Sequence, residues 1–175
     1  QFLSFHHDSS DLNSLSSDVI SRILIDGSDR LWIATRGGGI NIYQEASQNF
    51  QRIASKNTAL KLTNDNVNAL IEDSNNNIWV GTDNGLNIIF REGNDWSIKH
   101  VFHEQGNPNG LTHNSVEAII QTTDGNIWVG TNGGGVSVFD VQGHFIKQIR
   151  FGRKIDDTSL GKLITALYQD NNGYV

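Results

Sequence analysis

Three near-identical pentapeptides recur along the chain: Leu31-Trp32-Ile33-Ala34-Thr35, Ile78-Trp79-Val80-Gly81-Thr82 and Ile127-Trp128-Val129-Gly130-Thr131. Each follows a polar turn and precedes glycines. A repeat of this kind constrains architecture more than local propensity does, because every copy must form the same supersecondary unit. The likeness extends upstream: Ile20, Val67 and Val116 each lie twelve residues before the Trp, and Leu15, Leu62 and Leu111 five residues earlier still. A fourth copy starts at Ile164, where Ala166, Leu167 and Asp170 match Ala69, Leu70 and Asp73. The intervals between the first apolar positions are 47, 49 and 48 residues.

Each unit reads as four short strands. In the second copy these are Val67 to Ile71, the Trp strand Ile78 to Thr82, Leu86 to Phe90, and Ile98 to Phe102. Asn, Asp and Gly between them supply the left-handed backbone of tight hairpins. No helical period competes. Four strands in fewer than 50 residues cannot cover both of their faces, so each unit must stack on its neighbours, the logic of a propeller blade. Burial on both faces explains why Ile-Trp-Val is continuously apolar instead of alternating. It also explains Gly81, Gly130 and the equivalent Ala34, small residues where blades converge near the axis. Trp32, Trp79 and Trp128 are expected between blades, and Thr35, Thr82 and Thr131 close the repeat.

The expected fold is therefore all-β, a β-propeller fragment of about three and a half four-stranded antiparallel blades. Its parts are residues 1–10 (outer strand of a preceding blade, Phe2 to Phe5), 15–55, 62–103 and 111–151 (complete blades) and 160–175 (start of a further blade). Propellers close with four to eight blades. This segment alone leaves open faces, through which two copies are expected to pair or self-associate.

Composition narrows the function classes. The 175 residues hold no Cys, which removes disulfides and thiolate metal sites. A formal net charge of −6 argues against a nucleic-acid binder, which needs clustered Lys and Arg. No window reaches the roughly 18 apolar residues of a membrane span, so no direct membrane contact is expected of this segment. With no Met anywhere, the sequence reads as processed or as a piece of a longer protein.

The run Leu-Thr-x-Asn-x-Val-x-Ala-Ile followed by Asp-Gly-Asn-Ile-Trp-Val-Gly-Thr-Asn-Gly-Gly-Gly-Val, from Leu111 to Val136, resembles the two-component regulator propeller repeat. So do Leu15 to Tyr43, Leu62 to Phe90 and the start of a further copy at Leu160. Departures are Ala34 for Gly, a shorter loop at Asp83-Asn84-Gly85, and Thr122 where the other units carry Asp26 and Asp73. The resemblance implies a ligand-sensing, periplasmic or otherwise extracytoplasmic part of a membrane receptor. The parent protein would be a histidine kinase, often hybrid, or a diguanylate cyclase, and this segment would be non-catalytic.

In such a blade the loop between strands two and three shares one rim with the loop leading into the next blade. Candidate ligand-binding residues on that rim are Arg36, Asp65, Asp83, Asn84, His113, Asn114 and Asn132. Amides, carboxylates and an Arg with little apolar cover suit a glycan or small polar molecule. The competing reading is that Asn, Asp and Gly are ordinary turn formers.

Asp73 to Asn77 is superficially like a calcium loop, but its twelfth position is Asn84, not the bidentate Glu such a loop requires. The Gly37 to Gly39 and Gly133 to Gly135 triplets precede no helix that could cradle a phosphate. The six histidines show no metal-binding spacing. No catalytic residue, metal or cofactor is therefore assigned. The alternatives to a sensor are a catalytic propeller of the quinoprotein or polysaccharide-lyase type and a pure protein-interaction scaffold.

Overall fold

The computed structural model describes residues 3–56, 60–93, 95–150 and 163–175, and of Glu92 the backbone alone. Among the described residues twelve strands form three separate four-stranded meanders. The first blade holds β1 (Ile20–Ile25), β2 (Leu31–Thr35), β3 (Ile40–Gln44) and β4 (Asn49–Ile53). The second holds β5 (Val67–Glu72), β6 (Ile78–Thr82), β7 (Gly85–Glu92) and β8 (Asp95–Val101). The third holds β9 (Val116–Gln121), β10 (Ile127–Thr131), β11 (Gly135–Phe139) and β12 (Phe145–Ile149). All pairings between these strands are antiparallel, and the first strands of successive blades contact one another.

Two of the cores lie between blades. One joins Trp32, Ala34 and Ile40 of the first blade to Leu62, Val67 and Leu70 of the second. The next joins Trp79, Leu86 and Ile88 to Leu111, Val116 and Ile119. Trp32 and Trp79 are completely buried. Trp128 is half-buried, with Lys147 Nζ 5.6 Å from its ring centre. Residues 163–175 bond to the third blade at Thr131 O and Thr123 N without enclosing Trp128 as Trp32 and Trp79 are enclosed.

The small residue after each Trp strand's central apolar position makes room for the next blade. A Cβ on Gly81 would stand 2.5 Å from Val116 Cγ1, and one on Gly130 2.5 Å from Ile164 Cγ2. Ile164 thereby occupies the place that Val116 and Val67 hold in the complete blades. Its N–H donates to Thr131 O, and Asp170 closes a turn on Tyr174 as Asp73 does on Asn77.

Three expectations need correction. Residues 163–169 follow the course of a first strand but form only an isolated bridge, Asn132 with Leu163, because the Trp strand that would pair with them is not among these residues. Leu160, the expected start of that copy, and Phe151, the end of the third blade, lie outside the described residues, as does Phe2. Residues 3–5 of the expected leading strand are not a strand. Their partner would be the third strand of a preceding blade. Phe5 instead packs on Tyr43 and Phe50 at centroid distances of 5.3 and 5.2 Å. The β7–β8 hairpin is also longer than expected, since Arg91 pairs with Trp96 and Glu92 with Asp95.

Candidate functional site

The rim is built by a side-chain network that repeats three times. The Thr ending each Trp strand donates its hydroxyl to the glycine carbonyl that closes the turn: Thr35 to Gly39, Thr82 to Gly85, Thr131 to Gly135. These glycines have φ of 73°, 113° and 93°, a region that disfavours any side chain. Each of these Thr hydroxyls also meets that of Ser16, Thr63 or Thr112 on the loop entering its own blade. That loop is fixed a second time by the third strand. The backbone N–H groups of Ser16 and Thr63 donate to Asn41 and Asn87 Oδ1, and that of Thr112 to Ser137 Oγ. Asn41, Asn87 and Ser137 are fully buried, so these bonds replace water and fix the loops.

Backbone bonds then join neighbouring blades along the rim. Gly37 and Gly39 donate to Asp65 O, and Gly85 donates to Asn114 O. The turns between second and third strands and the inter-blade loops therefore share one surface, as the repeat implies.

Three of the seven rim candidates have their polar groups engaged in holding this surface. Asp65 accepts from Ser55 N and Ser55 Oγ at 2.6 and 2.7 Å. Asn114 Oδ1 accepts from His103 N, and Asp18, at the equivalent place, from His7 N. Asp83 takes Asn66 Nδ2 on one oxygen and Asn68 Nδ2 on the other, both at 2.8 Å. The remaining four are exposed. His113 Nδ1 accepts from Ser115 N, whereas the Arg36, Asn84 and Asn132 side chains have no hydrogen-bond partner among the described residues.

Several polar groups near the rim and axis carried no signal in the single sequence. Each first strand has a β-bulge near its start, spanning Ser21, Asn68 or the Val116–Ala118 step. Asn68 is buried, its Nδ2 donating also to Val116 O while its Oδ1 has no partner. Arg22 and Glu117 line a gap of about 200 Å³ between β1, β5, β9 and residues 165–167. Their equivalents differ in chemistry from blade to blade, so the repeat hides them. Among the described residues no three His, Cys, Asp or Glu side chains gather as a metal site.

Residues 14–37, 61–84 and 110–133 each match the two-component regulator propeller repeat, one match per blade. These are two-component regulator propeller repeats. Among solved structures, the chain is similar to the extracellular domain assigned to the hybrid two-component system BT3049 of B. thetaiotaomicron, with 27% identity and a TM-score of 0.68. That match covers 91% of this chain and 20% of the other. The extracellular domain assigned to the one-component system BT4673 of the same organism gives 22% identity and 0.67, covering 95% and 21%. Streptogramin B lyase shares the fold at 15% identity and a TM-score of 0.54, over 77% of this chain and 42% of that one. Among curated proteins none matches. The two-component regulator propeller repeats thus form a propeller segment spanning about a fifth of the length of the extracellular domains it is similar to. No helix among the described residues is long and apolar enough to cross a membrane.

Proposed function

We propose that this chain is part of a ligand-sensing, extracytoplasmic propeller of a membrane-bound signalling receptor, with no chemistry of its own. The observation that carries the reading is the placement of one two-component regulator propeller repeat on each successive blade, in an arrangement similar to the extracellular domain of a hybrid two-component system. The parent protein delivers its output through a histidine kinase or a diguanylate cyclase. Arg36, Asn84, His113 and Asn132 contact a glycan or another small polar ligand, and Asp65, Asp83 and Asn114 hold the loops that present them. Signal passes by changing how blades or receptor copies pack, through the open faces at either end of the segment.

A thermal-shift screen of this chain against oligosaccharides and sugar acids tests the sensing role. At least one ligand should raise the midpoint, and Arg36→Ala and Asn132→Ala should reduce that rise. No stabilisation by any member would leave only a scaffold. The sequence following Val175 in the parent gene tests the output half: a membrane helix and then kinase or cyclase motifs are expected.

A further inference from the structure

On the flank of the molecule, away from rim and axis, the first and second blades leave a cleft of about 530 Å³. That is within the range of small-molecule sites, roughly 300–1,000 Å³. Both sheets have all four strands, and these blades with the loop joining them supply the whole described lining, so the cleft does not depend on any neighbouring blade. Its floor is apolar, made by Ile42, Ile53 and Leu60, and its walls carry Arg30, Gln44, Gln51 and Asp95 beside Trp96.

The repeat supplies an internal control for Arg30. The equivalent turn residue in the second blade is Asn77, whose Nδ2 is spent on Asp73 Oδ2 and on Val141 O across the blade boundary. Arg30 makes the same bond to the turn aspartate, Nε to Asp26 Oδ2 at 2.6 Å, and stacks 4.5 Å from the Trp96 ring centre. Its terminal nitrogens have no hydrogen-bond partner among the described residues. A guanidinium anchored at Nε and at its face is preorganised, with its remaining donors available to a ligand. Gln51 and Asp95 likewise make no side-chain hydrogen bond among the described residues, and both are exposed.

The charges identify the ligand class. Arg30 is paired with Asp26 and Asp95 adds a carboxylate, so nothing in the cleft favours an anion. Planar groups that offer adjacent donors or acceptors match vicinal hydroxyls, each of which both donates and accepts. Three aliphatic side chains below match the C–H face of a sugar ring. From this we infer that the flank cleft is a binding site for a neutral pyranose unit. Arg30 and the two glutamines contact its hydroxyls and Asp95 accepts from them, over the floor of Ile42, Ile53 and Leu60. The inference is independent of whether the rim loops bind anything.

The test is a ¹⁵N NMR titration of the 175-residue chain with methyl β-D-glucopyranoside, methyl β-D-galactopyranoside and methyl α-D-mannopyranoside, and with glucuronate as the anionic comparison. At least one neutral glycoside should shift the Trp96 indole and Arg30 Nε resonances saturably, with a dissociation constant of roughly millimolar order. Gln51→Ala and Asp95→Asn should each weaken binding about fivefold, the loss expected for one hydrogen bond, without moving the melting temperature. Arg30→Asn, which installs the residue of the equivalent turn, should weaken binding to a similar extent. The inference is overturned if no neutral glycoside gives saturable shifts at the cleft or if glucuronate binds more tightly. It is equally overturned if both exposed variants bind like the wild type. Shifts confined to Asn84, Asn132 and their neighbours would support the rim reading and refute this one.

Discussion

The backbone N–H of Gly27 donates to Glu72 Oε2 at 2.7 Å, tying the first hairpin of one blade to the end of the first strand of the next. Ser74 N with Gln121 Oε1 and Thr123 N with Gln169 Oε1, both at 2.8 Å, repeat the bond at the next two boundaries. A carboxylate at one boundary and a carboxamide at the other two show that only the acceptor oxygen is required. Glu72→Gln should therefore change stability by less than about 0.5 kcal/mol, whereas Glu72→Ala should cost about 1 kcal/mol. Urea unfolding measures both, and equal midpoints for the two variants would refute the role of this bond.

Gly81 is set by the space available, since its φ is not in the left-handed region. A methyl there would meet Val116 Cγ1 at 2.5 Å and Ala69 Cβ at 3.2 Å. Gly81→Ala should destabilise by about 1–3 kcal/mol through overpacking. Adding Val116→Ala removes the nearest obstruction, so the double variant should lose less than the two single losses summed. Strict additivity in a denaturant cycle would show that the blades do not meet at this point.

Trp79 and Trp128 occupy the same repeat position in different surroundings. Trp79 is buried and its indole N–H donates to Asp73 Oδ2 at 2.7 Å. The third blade has Thr122 in place of that aspartate, its hydroxyl turned to Asp124 and to Asn126 O. Trp79→Phe should cost about 2–4 kcal/mol, from lost packing and a lost bond to a buried carboxylate. Trp128→Phe should cost less than about 1.5 kcal/mol. Similar losses in thermal unfolding would contradict this division.

The blades were legible in the sequence because a stacked array places the same apolar residue at the same position each time. Trp32, Trp79, Gly81 and Gly130 are therefore read from a single chain. Non-repeating partners were not legible. Trp96 lies 5.1 Å from Trp32 across the first boundary, yet no other blade has a Trp there to mark it. Composition could not separate Asp83, which holds Asn66 and Asn68, from Asn84 beside it. Turn formers look alike in sequence, and the network that distinguishes them is tertiary. The expected leading strand is absent at residues 3–5 for a related reason, since an outer strand forms only against a partner strand.

Asp26 gives the fold a defined acid sensitivity. Burial alone would raise its pKa, but hydrogen bonds from the Arg30 backbone, the Trp32 indole, the Arg30 side chain and Ser28 outweigh it and hold the carboxyl below its ordinary value. Because the folded pKa lies below the unfolded one, this contribution is present above the unfolded value of about 3.9 and is lost as pH falls through the folded value. Asp26→Asn should flatten the decline in melting temperature below about pH 4 while lowering stability at pH 7, where a buried partner of Arg30 has been removed. An unchanged acid limb in the variant would assign the acid sensitivity to other groups.

The first blade exposes what the others bury. Ile20 and Ile23 are 40% and 64% exposed, whereas Val67 and Leu70 are 0% and 7%, and Val116 and Ile119 are 0% and 6%. Leu24 packs inward against the second blade, so Ile23 and the similarly exposed Ile25 point the other way. A contiguous apolar face of this kind favours association. A second copy of the chain can cover it. Sedimentation at micromolar concentration should therefore show self-association of the wild type. Ile23→Lys with Ile25→Lys should shift the population to monomer with little loss of the inter-blade cores, because neither side chain contributes to them. A wild type that sediments as a monomer, or a double variant that associates as the wild type does, would place the association surface elsewhere.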